Sequence, residues 1–159
     1  AVPSKVMQRN FYLLDEEKNG LEYNYYEGNW QNVPDFNSLT KIRNGHIYDF
    51  NLDSFERRSA KFAVEFNGYL KIEEEGEYSF YTVSNDGSKL FINNTLIVNN
   101  DGVHGNFERQ GKIVLKPGMH QIKVQYFDAG GSQSLKVLYK APGGIRQAIP
   151  LEKLFIRKK

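Results

Sequence analysis

The stretch Glu77-Tyr78-Ser79-Phe80-Tyr81-Thr82-Val83 decides how the rest of the chain reads. Tyr78, Phe80 and Thr82 fall on one side, Tyr81 and Val83 on the other, which is the two-residue period of a strand. Working outward, the pattern recurs. Toward the C-terminus, Gln121–Tyr126 sets Ile122, Val124 and Tyr126 on one face, and Ser134–Tyr139 does the same with Leu135, Val137 and Tyr139. Toward the N-terminus, Lys61–Phe66 aligns Phe62, Val64 and Phe66, Tyr69–Ile72 is a shorter run, and Leu21–Tyr25 alternates again. Lys89–Ile92 and Leu96–Val98 flank Asn93-Asn94-Thr95, and Asn tolerates the positive φ of a two-residue hairpin turn. Pro117-Gly118 marks a turn after Ile113–Leu115. Many short strands at near-regular spacing, with turn residues between them, predict an all-β fold. The expected architecture is an antiparallel β-sandwich or a barrel-like jelly roll.

Three segments follow from this reading. Residues 1–18 are expected to be a lead-in or linker, 19–156 the β domain, and Arg157-Lys158-Lys159 a solvated basic tail. Residues 27–58 look irregular, and loops of that length usually serve a purpose or pack as an ordered flap. Helical turns are expected only near Asp53–Arg58 and Pro150–Leu154.

Composition narrows the function. The chain has 159 residues, enough for one domain with its own core. With no cysteine, disulfide scaffolds and Cys-based metal sites are excluded. A net charge of +2 does not nominate nucleic acid as a partner. No apolar run is long enough for a membrane-spanning helix. Ala1–Lys18 has no apolar leader core, and with Ala1 in the first place the chain is expected to be a processed or excised piece. The 10 Tyr and 11 Phe favour strands, and the 14 Gly favour tight turns between them.

Nucleophilic catalysis finds no motif: Gly-x-Ser-x-Gly is absent, and His46, His104 and His120 lack metal-ligand spacing. His120 is expected to be structural. Glu73-Glu74-Glu75 reads as a solvated turn, and no acid pair is singled out for glycoside hydrolysis. The richest constellation is Ser84-Asn85-Asp86-Gly87-Ser88, Asn99-Asn100-Asp101-Gly102 and Asp128-Ala129-Gly130-Gly131-Ser132. Each follows a strand. If they converge, they offer carboxylate, amide and carbonyl oxygens together, the ligands Ca²⁺ prefers. The residues alone leave open the plainer reading, that Asn-Asp-Gly runs are turn formers. The same groups suit sugar hydroxyls, with Phe107, Trp30 or Phe127 as aromatic cover. Asn93-Asn94-Thr95 also matches an N-glycosylation acceptor, although the hairpin turn explains it without that.

Ordered motifs resemble a known family. The run Gly20-Leu21-x-Tyr23-x-Tyr25-Tyr26-x-Gly28-x-Trp30 resembles the opening of the protective-antigen 14 kDa domain. Phe66-x-Gly68-Tyr69-Leu70-x-Ile72-x-x-x-Gly76-x-Tyr78-x-Phe80 and Ser84-Asn85-Asp86-Gly87-Ser88-x-Leu90-x-Ile92 resemble its central signatures. Asn99-Asn100-Asp101-Gly102-x-His104-Gly105 and Leu115-x-x-Gly118-x-His120 continue it, and Tyr126-Phe127-Asp128-x-Gly130-Gly131 and Ile149-Pro150-x-x-x-Leu154-Phe155 close it.

The resemblance implies a noncatalytic β-sandwich module. It would bind carbohydrate or shape substrate within a secreted or periplasmic glycoside hydrolase such as a bacterial chitobiase or β-hexosaminidase. The implied partners are a glycan, either N-acetylglucosamine-containing or a glucan, and the parent's catalytic domain. The implied location is extracellular or periplasmic. In the family's adhesins two adjacent Asp residues joined by a cis peptide bind Ca²⁺, which binds the glycan. Those positions fall on Asn85 and Asp86, and the later loop falls near Asp128, Gly130 and Ser132. Asn85, Asp86, Asp101, His104 and Asp128 are then the expected sugar contacts, and Asn85, Asp86, Asp128, Gly130 and Ser132 the expected Ca²⁺ ligands. Asn85 departs from the pattern by replacing the first carboxylate. The rival reading is a structural or protein-interaction module that packs on a catalytic domain and has no glycan affinity.

Overall fold

The structure is a computed structural model that describes residues 6–9, 12–15 and 18–158. It carries thirteen strands among the described residues. β1 (Val6–Arg9) and β2 (Tyr12–Asp15) pair as an antiparallel hairpin. The remainder of the expected lead-in 1–18, Lys18 excepted, and Lys159 of the tail lie outside the described residues.

The sandwich is built from β3 (Leu21–Glu27), β4 (Arg43–Ile47), β5 (Phe62–Ile72), β6 (Gly76–Asn85), β7 (Ser88–Ile92), β8 (Thr95–Asn100), β9 (Phe107–Leu115), β10 (Gly118–Phe127), β11 (Ser134–Lys140), β12 (Gln147–Ala148) and β13 (Leu154–Phe155). One sheet runs β4-β3-β5-β10-β7-β8, with β13 also on β5; the other runs β12-β11-β6-β9. Every pairing is antiparallel.

The alternation read from the sequence sets the core. Phe62, Val64, Phe66, Leu70 and Ile72 of β5 point inward beside Ile122, Val124 and Tyr126 of β10. Tyr78 and Phe80 of β6, with Val137 and Tyr139 of β11, face them from the other sheet. Each such side chain contributes about 1.5–3 kcal/mol by leaving water. Asn93 and Asn94 take φ of 50° and 65°, as the tight hairpin between β7 and β8 requires.

The structure corrects several boundaries. Lys61–Phe66 and Tyr69–Ile72 are one strand, β5, and Gly68 does not interrupt it. A Cβ on Gly68 would lie 2.7 Å from Leu21 Cδ2, so glycine here serves close packing and not a turn. The stretch 27–58 contains β4 and a 3-10 turn at Phe36–Ser38. Ile113–Leu115 is only the end of β9, whose first half is polar because it is an edge strand, exposed for most of its length. No helix forms at Asp53–Arg58; Asp49 and Asn51 instead accept hydrogen bonds from the backbone two residues on. A 3-10 turn does form at Leu151–Lys153.

A second apolar cluster lies on the outer face of the larger sheet at one end. Tyr26, Ala63 and Phe127 are neighbours across β3, β5 and β10, and Phe36 packs edge-on to Tyr26 with ring centroids 5.1 Å apart. Trp30, Val33, Leu39 and Ala129 close over it. The flap formed by residues 28–39 thus holds down the end of the sheet from which the oxygen-rich loops leave.

Candidate binding site

Asp86 occupies the two-residue turn between β6 and β7 and is 4% exposed. Its Oδ1 accepts the His104 N–H at 3.2 Å and its Oδ2 the Ala129 N–H at 2.8 Å. One buried carboxylate therefore fixes both the β8–β9 loop and the β10–β11 loop, with charge-assisted bonds stronger than neutral ones. The loops approach this closely because Gly87 has no side chain: a Cβ there would lie 2.5 Å from the Phe127 ring and 2.9 Å from the Gly102 backbone. Phe127 N–H donates to Gly87 O at 3.0 Å. The Asn85–Asp86 peptide is cis, as the resemblance places it. The Tyr126 hydroxyl donates to Asn85 O, and burial holds that phenol protonated far above its ordinary range.

Asn85 and Asp128 complete the cluster. The Asn85 side-chain oxygen faces His104 O and Asp86 Oδ1; turned over, its NH₂ would donate to them, at 3.0 Å and 3.3 Å. Asp128 is fully buried. Its Oδ2 accepts the N–H groups of Lys61 at 3.0 Å and Gly130 at 3.1 Å. Its Oδ1 has no hydrogen-bond partner among the described residues. Burial pushes this carboxyl above the usual carboxylate range; the Lys61 N–H opposes the shift and the nearby Asp86 charge adds to it.

The other expected site residues divide. Asp101 Oδ1 accepts from Val33 N at 2.7 Å and Gly102 N at 2.7 Å, and Oδ2 lies 3.7 Å from Lys89 Nζ, so it ties the flap to the site. Both ring nitrogens of His104 face carbonyl oxygens, Gly105 O at 2.8 Å and Asn100 O at 2.9 Å, so the ring is held in place by its own loop. Gly130 reaches Asp128 with φ of 129°, and Ser132 is exposed farther along the loop. Of the three aromatic candidates, Phe127 is core, Trp30 packs into the second cluster, and Phe107 is 52% exposed beside His104, with ring centroids 6.1 Å apart. His120 is structural, bonded through its ring to Asn93 and to Lys116 O.

Sequence reading missed a buried polar cluster beneath the loops. Ser84 and Ser88 hydroxyls lie 2.7 Å apart, Ser88 donates to Thr82 Oγ1 at 2.9 Å, and Asn100 Nδ2 donates to Phe107 O at 2.8 Å. These groups join the two sheets where an apolar contact would be expected. Their inward places on alternating strands were the available signal.

The donor set fits a hard cation. No group of three or more His, Cys, Asp or Glu side chains that could hold a metal occurs among the described residues. A cation here would draw on amide and backbone oxygens beside two carboxylates, which Ca²⁺ accepts. The unpartnered Asp128 Oδ1 is the observation that agrees with this, since a buried carboxylate oxygen left unpaired is costly.

A family model described as PA14 domain matches residues 17–153. Anti-sigma-I factor RsgI3 of Acetivibrio thermocellus is 31% identical over 145 residues, covering 90% of this chain and 22% of that protein. A solved anti-sigma factor domain-containing protein superposes with TM-score 0.75 at 29% identity, over 94% of this chain and 51% of that one. A solved PA14 sugar-binding domain from an RTX adhesin superposes with TM-score 0.76 at 20% identity, over 87% and 99%; that likeness is one of fold. The chain thus spans a minor part of the curated relative and about half of the first solved one.

Proposed function

The chain belongs to the PA14 domain family, and on that premise we propose that it is a noncatalytic carbohydrate-binding module working outside the cytoplasm, extracellular or periplasmic. The observation that carries the reading is that Asp86 ties the loops of His104 and Ala129 to its own turn, next to Asp128, whose buried Oδ1 has no partner among the described residues. Asn85, Asp86 and Asp128 would hold Ca²⁺ together with carbonyls near Gly130 and Ser132. Bound there, the ion supplies a positive charge for sugar hydroxyls. The chain's own part is to bury the carboxylates and fix the loops. Phe107 and the loop of Asp101 and His104 would form the rim. The glycan is expected to be N-acetylglucosamine-containing or a glucan.

The sugar-binding adhesin domain supports glycan recognition by this fold. A relative 31% identical supports a regulatory parent protein, in which glycan binding would be the sensed event. The glycoside-hydrolase parent, with a catalytic domain as partner, rests on the motif resemblance. A second reading is a structural or interaction module. It is favoured by the full engagement of Asp86 with backbone N–H groups, which makes this carboxylate a structural hub.

A glycan array probed with the chain in Ca²⁺ and again in EDTA separates these readings. Binding to at least one glycan in Ca²⁺ that EDTA removes is the expected result. No retention under either condition would contradict glycan binding and leave the interaction reading.

A further inference from the structure

The Asn85 carboxamide has two ways to sit. With the oxygen inward, as the structure places it, it faces His104 O and Asp86 Oδ1, two acceptors. Turned over, its NH₂ would donate to those same two oxygens, at 3.0 and 3.3 Å. Three oxygens with no hydrogen between them repel one another unless a cation lies among them. The two orientations exclude each other: one is hydrogen-bonded and needs no metal, the other is a set of cation ligands. A carboxylate at this position would have no donor and no such choice.

We propose that the Asn85 carboxamide is the chain's own stand-in for the cation, and thereby the residue that sets metal affinity at this site. With its NH₂ inward it bridges the β6–β7 turn to the β8–β9 loop. Asp86 then takes three donors from three places: Asn85 NH₂ and His104 N–H on Oδ1, and Ala129 N–H on Oδ2. That carboxylate is satisfied without a counter-ion. Cation binding must first turn the amide over and give up two hydrogen bonds, so affinity is weak and the loops stay assembled when metal is withdrawn. The cation half of this inference rests on the reading under Proposed function; the bridge itself is internal to the chain.

The test uses the chain as it exists, with Asn85→Asp and Asn85→Ala variants, and Ca²⁺ alone as probe. Thermal midpoints are read in EDTA, and Ca²⁺ affinity by calorimetry. In EDTA both variants are expected to melt lower than the wild type by about 2–4 °C or more, the shift that one or two lost hydrogen bonds produce in a domain this size. Asn85→Asp is expected to bind Ca²⁺ about tenfold tighter or better, since ligand charge tunes such sites. Asn85→Ala is expected to gain no affinity. In the wild type, the Asn85 side-chain NH₂ resonances are expected to move when Ca²⁺ is added, a readout independent of how well the variants fold.

Wild-type midpoints for both variants in EDTA would overturn the stand-in, as would Ca²⁺ affinity unchanged in Asn85→Asp. Ca²⁺ binding that leaves the Asn85 NH₂ resonances in place would overturn it too. If Asn85→Asp binds Ca²⁺ and the wild type does not, the stand-in is upheld and the wild-type cation reading falls. If neither binds, the cation reading and the claim that Asn85 sets metal affinity both fall, and the midpoints in EDTA decide the bridge.

Discussion

Asp86 illustrates how much one side chain carries in this molecule. It sits in a two-residue turn, yet it satisfies backbone N–H groups of two other loops, at His104 and Ala129. Replacing it with Ala would leave both half-buried N–H groups without their acceptor. Each orphaned group costs about 1–3 kcal/mol, so urea unfolding of Asp86→Ala is expected to show a loss of roughly 3 kcal/mol; a loss under about 1 kcal/mol would remove Asp86 as hub. The Asn85-Asp86-Gly87 run was legible as a turn with oxygen ligands. Its partners were not, because a backbone N–H belongs to every residue and no residue type announces it. Asp101 shows the converse. Its type suited the rim, but its oxygens go to Val33, Gly102 and Lys89. Asp128 fell in a Gly-rich loop that could have been plain turn, and only its burial distinguishes it.

Among the elements, β5, β10 and β11 were readable because each buries chiefly one face and alternates accordingly, and β6 because its residue types alternate although Tyr78–Thr82 is buried on both faces. β9 was not, because it runs along a sheet edge, and β4, an edge strand as well, has a weak pattern. The contact that makes β9 necessary is at Gly111, where a Cβ would sit 1.9 Å from Ile97 O. There β8 of one sheet and β9 of the other close the side of the sandwich, and the β8–β9 loop leaves toward Asp86 from that closure. Gly111→Ala must part these strands. The expected cost is about 1–3 kcal/mol in thermal or denaturant unfolding, the range for overfilling a packed place. An unchanged stability would mean that the two sheet edges are not held against each other.

At the scale of the whole molecule, the sandwich holds a loop cluster at one end. Beneath it lie the buried Thr82, Ser84, Ser88 and Asn100 groups, and beside it the flap packed on Tyr26 and Phe127. Glycan binding at that end would depend on a cation held there. Thermal unfolding of the wild type and Asp128→Asn, each in EDTA and in excess Ca²⁺, reads whether that cation binds. A ligand that binds only the folded chain at one hundred times its dissociation constant adds about 2.7 kcal/mol, or roughly 5–10 °C in a domain of this size. Such a rise is expected for the wild type and none for Asp128→Asn, whose midpoint in EDTA stays near that of the wild type because the lost charge was buried and half unpaired. No rise in the wild type, or an equal rise in Asp128→Asn, would contradict cation binding there.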